Sequence, residues 1–297
     1  MKKYQLRLVM DDNNDFIDID VSEHNELLLV ESHLNHAIGV EDKFDVTVQN
    51  YLEFETSILC EAARDLIGTQ RGAEEHERLR RLFARRVLNV LSSARLYLDS
   101  LAHHAAQILS DDPGRLAKVE TARRAQYDSS SEYRLAESLR NYAQHRALAV
   151  HGLIGKSTQP ETDVFEYCIQ PYLDPEELHM DRKFNLRVLE ELLPSGRVVE
   201  LKPVMRGYIE GLGRIHAVFR AETRSQLEAG VRTLYLAEKK FRSAFPMAPL
   251  AFLGALREEN GIWDDVVYIH VTLKKLQSYL EMEMPRMEQF RLRRVRY

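Results

Sequence analysis

The residues with the clearest capacity for chemistry lie in one helical stretch, Ser138-Leu139-Arg140-Asn141-Tyr142-Ala143-Gln144-His145-Arg146. An imidazole, which titrates near pKa 6.5, can take or give a proton at neutral pH. A guanidinium offers planar donors that suit a phosphoryl or carboxylate oxygen. Asn141 and His145 are four apart, so they share a helix face, and the amide can orient the imidazole and fix its tautomer. Arg140 and His145 are five apart, roughly 140° around a helix, so they do not share a stripe. They converge on one ligand only in a cleft between two helices or two subunits.

Other chemistries are poorly represented. There is no Gly-rich phosphate loop, paired-Cys site, His-Glu-x-x-His helix or Gly-x-Ser-x-Gly elbow. Cys60 and Cys168 cannot form a disulfide framework or a four-thiolate metal site and read as free thiols. His103-His104 lacks a third ligand at metal spacing, so neither a metal nor a cofactor is expected. Glu55 sits inside an apolar stripe between Leu52 and Leu59. A carboxylate there needs a partner, and Arg140 on a neighbouring helix is the candidate, unless the stripe turns to solvent. Asp99, with Tyr97 and Arg95 beside it, can reach the same cleft. Arg291, Arg293, Arg294 and Arg296, with Phe290 and Tyr297 interleaved, form a basic C-terminal tail. Such a tail can follow a nucleic-acid backbone and stack on bases, or simply stay solvated.

The elements that must position these residues are mostly helical. Residues 1–47 read as a β-hairpin, with a turn at Asp11–Asp15, followed by an irregular segment. Residues 48–155 read as an antiparallel helical bundle. Its longest member runs from Glu74 to Leu109, and Asp111-Asp112-Pro113-Gly114 breaks it. The helix carrying Arg140 runs from about Ser131 to His151. Gly155 to Thr162 is the linker candidate. Residues 160–297 read as a second helical region, with a Pro-led helix at Asp174-Pro175 and a long helix from Pro203 to Ala244. Gly207 and Gly211 either let another helix approach or weaken that one. Val266–Thr272 fits a strand pairing with the N-terminal hairpin, and it also fits a helix.

The chain has 297 residues and a net charge of −5, so bulk charge alone does not bind it to nucleic acid and a local basic patch is required. No window approaches the apolar length of a membrane span, and the N-terminus lacks a signal-peptide core. A cytoplasmic, soluble protein without membrane partners is expected.

The Arg140-Asn141-x-x-x-His145 segment resembles the HEPN superfamily. These are helical-bundle proteins whose active members are metal-independent ribonucleases with Arg, a polar residue, then His four to six residues after the Arg. By architecture the resemblance extends over Val48–His151. The bare spacing also occurs at Arg71/His76 and Arg146/His151, but only Arg140 is followed by Asn. The resemblance implies a mainly α, HEPN-like bundle that dimerises and lines a shared cleft with two motifs. It implies RNA as substrate, with a toxin- or defence-type role and an antitoxin protein as a candidate partner. His145 would take the 2′-hydroxyl proton or protonate the leaving 5′-oxygen. Arg140 would stabilise the phosphorane-like transition state, Asn141 would hold the tautomer, and the product would be a 2′,3′-cyclic phosphate. The competing expectation is a non-catalytic helical module for dimerisation, interaction or nucleotide binding.

Overall fold

The structure is a computed structural model that describes residues 2–9, 15–67, 72–162, 164–192, 194, 196 and 198–293. The chain is mainly helical with small antiparallel sheets. The order is β1 (Lys3–Leu8), β2 (Phe16–Asp18), α1 (Val21–Asp65), α2 (Ala73–Ile108), α3 (Pro113–Ser129), α4 (Ser131–His145), β3 (Gly152–Glu161), β4 (Val164–Leu173), α5 (Pro175–His179), α6 (Leu186–Leu192), β5 (Val199–Glu200), α7 (Leu201–Ala244), β6 (Leu253–Glu259), β7 (Ile262–Tyr268) and α8 (Ile269–Glu281). No helix among the described residues is long and apolar enough to cross a membrane.

The chain divides into two compact units, neither continuous in sequence. The first holds Met1–Glu41, Leu101–Val119 and Phe219–Met284; the second holds Asp42–Ser100, Glu120–Val218 and Pro285–Tyr297. This division cuts across the expected boundaries at 47, 155 and 160, because α1, α2, α3 and α7 each contribute residues to both units.

In the first unit the N-terminal strands join β6 and β7 in one sheet of order β2-β1-β6-β7. Leu6 lies opposite Ala255 and Leu8 opposite Leu253, all buried. The ambiguity at Val266–Thr272 resolves both ways. Residues up to Tyr268 belong to β7, which pairs β6, and the helix α8 starts at Ile269. It is β6 that pairs with the hairpin. The segment read as irregular is helix from Val21 onward. Asp20 caps it, accepting from the Glu23 amide at 2.8 Å. Leu27, Val30, Leu34, Ala37, Val40 and Phe44 then fall at steps of three and four and are buried. Arg220 reaches Glu41 through two 2.7 Å bonds, which ties α7 to α1 inside this unit.

In the second unit Phe54, Phe83, Tyr97, Leu98, Leu139 and Leu212 make a fully buried core. The Gly155–Thr162 linker is instead strand: β3 pairs antiparallel with β4, which pairs β5. Asp174 caps α5 with Pro175 at its start, as the sequence indicates, but a separate helix α6 follows. Gly207 and Gly211 admit α4. A Cβ at Gly207 would lie 2.7 Å from Glu132 Cβ, and one at Gly211 would lie 2.8 Å from Tyr133 Cδ2.

Candidate active site

Helix α4 carries the Arg140 motif, and its neighbours in the second unit hold it firmly. Ser130 Oγ accepts from the Tyr133 amide at 3.1 Å and starts the helix. Tyr133, Ala136, Leu139 and Tyr142 form its buried face. Arg134, also buried, donates to the Tyr127 and Asp128 carbonyls at 2.7 and 2.8 Å and to Glu191 at 3.1 Å. One guanidinium thereby closes the C-terminal end of α3 and joins α4 to α6. The helix ends at His145 rather than His151, and the Arg146 amide bonds the Tyr142 carbonyl at 2.8 Å.

The opposite side of α4 borders a cleft of about 700 Å³. Arg140, Asn141, His145 and Arg146 line it from α4, Arg95 from α2 and Tyr127 from α3. The turn between α5 and α6 contributes Asp181, Lys183 and Asn185. Two side chains that share no helical stripe therefore border one cavity, because α4 faces a concave wall instead of a flat surface. Arg95, Arg140, Arg146 and Lys183 face the two carboxylates Glu137 and Asp181. Arg146 is 3.6 Å from Asp181, and Arg95 lies 2.9 Å from Asp99 and 3.9 Å from Glu137. Arg140 and Lys183 make no ion pair among the described residues. The cleft thus has cationic excess in a chain of net negative charge, which favours an anionic ligand.

Tyr142 packs edge-on against Phe184 and His151 beneath this surface. Burial and the nearby Glu177 and Asp181 push its phenol above the ordinary pKa. It therefore stays protonated at neutral pH. Asn185 uses its Oδ1 on the Arg187 amide at the start of α6, and its Nδ2 reaches Tyr127 Oη at 3.4 Å.

Several sequence expectations change. Asn141 Oδ1 accepts from Arg140 Nη1 at 2.9 Å, so the amide orients the guanidinium and not the imidazole. Glu55 is buried, but its partner is Arg206 of α7, with Tyr51 donating at 2.9 Å and the Lys202 ammonium 3.5 Å away as a second ion-pair partner. It does not brace Arg140, because α7 is the cationic neighbour of that part of α1. Arg291 and Arg293 belong to a docked segment, not a free tail. Arg291 pairs with Glu132 at 3.1 Å, Arg206 donates to the Arg293 carbonyl, and Phe290 packs on Tyr51. Arg294 and Arg296 lie outside the described residues, as do Arg71 and the Asp11–Asp15 turn apart from Asp15.

His76 and His151 do not border the cleft. His76 Nε2 is 3.4 Å from the Leu153 carbonyl, and the His151 side chain is 4% exposed. Burial holds the His151 imidazole below its ordinary pKa. Tyr97 is buried, with its hydroxyl 3.2 Å from His216 Nδ1, and Asp99 engages Arg95. Both cysteines are free and exposed. His103-His104 does acquire a third histidine, His36 of α1, in the first unit.

Sequence reasoning missed Lys183, Asp181, Asn185 and Tyr127. The signal for the first three was the dense polar run Asp181-Arg182-Lys183 ahead of the α6 cap, and nothing in the linear pattern directs that run, or Tyr127 of α3, toward α4. Comparison with protein-family models, curated proteins and solved structures gave no match.

Proposed function

We propose that the second unit is an HEPN-like, metal-independent endoribonuclease site. The observation that carries this reading is that Arg140 and His145 border one open cleft with cationic excess, together with Arg95, Arg146 and Lys183. His145 is exposed at the rim and accessible to a ribose hydroxyl or a leaving oxygen. Arg140, held by Asn141, would place its donors against the phosphate in the transition state. The bond broken is P–O5′, the bond formed joins the 2′-oxygen to phosphorus, and the products are a 2′,3′-cyclic phosphate and a 5′-hydroxyl. A homodimer would bring two such clefts together, and the toxin- or defence-type role with an antitoxin protein belongs to the same proposal.

The test is cleavage of a mixed-sequence RNA by purified protein and by Arg140→Ala and His145→Ala. Each variant should lose roughly 10²–10⁴ in rate. A wild type that cleaves no RNA under any condition refutes the reading.

One observation favours a second reading, a non-catalytic anion- or nucleotide-binding module. Asn141 serves Arg140, and among the described residues no side chain hydrogen-bonds the His145 imidazole to orient it. RNA or nucleotide binding that is lost in Arg140→Ala, without any cleavage by wild type, identifies that module.

A further inference from the structure

Three histidine side chains converge in the first unit, and none of them lines the Arg140 cleft. His36 lies on α1, and His103 and His104 are consecutive on α2. One ring nitrogen from each lies within 4.8 Å of the others. His36 Nδ1 and His104 Nδ1 are 2.7 Å apart, sharing a proton between them. The ring centroids of His36 and His104 are 5.0 Å apart, those of His36 and His103 6.0 Å, and those of His103 and His104 5.2 Å. Consecutive residues on a helix point about 100° apart, so His103 and His104 cannot approach one point unless it lies off the helix surface, between them. His36 supplies the third side of that point.

The surroundings are shaped to it. A Cβ at Gly39 would sit 3.2 Å from His104 Nε2, so the glycine lets the ring lie close against α1. His33, one turn before His36, is buried with its Nε2 unpartnered. His103 is exposed and gives an open path from solvent.

We infer that His36, His103 and His104 form a binding site for a divalent first-row transition ion of the Zn²⁺ class, with a fourth position open to water. Three neutral imidazoles without a carboxylate select such an ion over Mg²⁺ or Ca²⁺, which require oxygen ligands. Two nitrogens on a tetrahedral Zn²⁺ at 2.0–2.1 Å stand about 3.3 Å apart. The His36–His104 pair therefore opens by about 0.6 Å as the ion replaces the shared proton, and His103 swings inward. The ion would clip α1 to α2 within this unit. A site of three protein ligands plus water also leaves the ion able to take an exogenous ligand.

The experiment is a Zn²⁺ titration of the full-length protein against a chromophoric chelator, with Co²⁺ absorption reporting coordination geometry. Wild type should take up one equivalent and give the intense visible bands of four-coordinate Co²⁺. His36→Ala and His103→Ala should each weaken Zn²⁺ by at least tenfold and abolish those bands. His76→Ala, a histidine outside the cluster, should match wild type. His103 is exposed, so His103→Ala keeps the fold, and a melting curve without metal verifies this. Absence of stoichiometric uptake by wild type overturns the inference, as does wild-type affinity in His103→Ala. Metal occupancy is the readout, so the outcome is independent of whether the second unit cleaves RNA.

Discussion

His145 and His151 occur six residues apart at the end of one helical pattern, and the structure gives them opposite exposure. Alanine at each should therefore produce opposite phenotypes. His145 is exposed, on the cleft, and its ring makes no hydrogen bond among the described residues. Its truncation opens no cavity and strands no buried group, so stability should change by less than about 0.5 kcal/mol. The rate of RNA cleavage should fall by roughly 10²–10⁴, the worth of a positioned general acid or base. The His151 side chain is 4% exposed, and its Nδ1 accepts from the Asp174 amide at 2.9 Å, ahead of α5. Removing it strands that amide, at about 1–3 kcal/mol, and withdraws a ring from Tyr142. A net cost near 2 kcal/mol corresponds to a fall in Tm of roughly 4–8 °C. Its cleavage rate, measured well below that Tm, should stay within a few-fold of wild type. Melting by circular dichroism and cleavage of a fluorescent RNA on both variants give the four numbers. An early-melting His145→Ala, or a folded His151→Ala that has lost cleavage, would refute the reasoning.

Cleavage should survive EDTA, because the proposed chemistry uses only Arg140 and His145; loss of activity that Mg²⁺ or Mn²⁺ restores would sink the mechanism. Glu55→Gln should destabilise by about 3–5 kcal/mol, since it leaves the buried Arg206 guanidinium without its carboxylate. Replacing both Glu55 and Arg206 by Met should recover most of that loss in urea titrations, and failure to recover would argue against the buried pair as the cause. His24 is buried, and desolvation holds its pKa below the ordinary value. The unfolded chain therefore binds this proton first as pH falls below about 6.5, and the folded state loses stability on that side. His24→Leu should flatten the slope of stability between roughly pH 6.5 and 5, and an unchanged slope would exclude His24 as its source.

The contrast between Glu55 and Arg140 shows how far linear pattern reaches. Glu55 is buried and paired, but on a face with Tyr51, Phe54 and Ile58; Leu52, in the stripe read around it, is 46% exposed. The stripe cannot say which cation arrives, because that depends on which helix packs there. Arg206 lies 151 residues away in sequence.

The sequence alone carried the mainly helical class, the long helices over Glu74–Leu109 and Pro203–Ala244, and the N-terminal strand pair. Those follow from local periodicity, capping and turn chemistry, which act over a few residues. It also marked Arg140 and His145 as the pair worth following. The start of α1 was missed: its buried residues from Leu27 to Phe44 fall at steps of three and four, but the run Leu27-Leu28-Leu29-Val30 obscures that period. Only the tertiary structure decided what these residues face. It bent the Asp181–Asn185 turn toward α4, turned the Gly155–Thr162 segment into a strand, and docked Arg291 and Arg293. It also set His36 beside His103 and His104. Each of these is a contact between segments distant in sequence. Such contacts are selected by the packing of whole helix faces, and spacing along the chain carries no record of them.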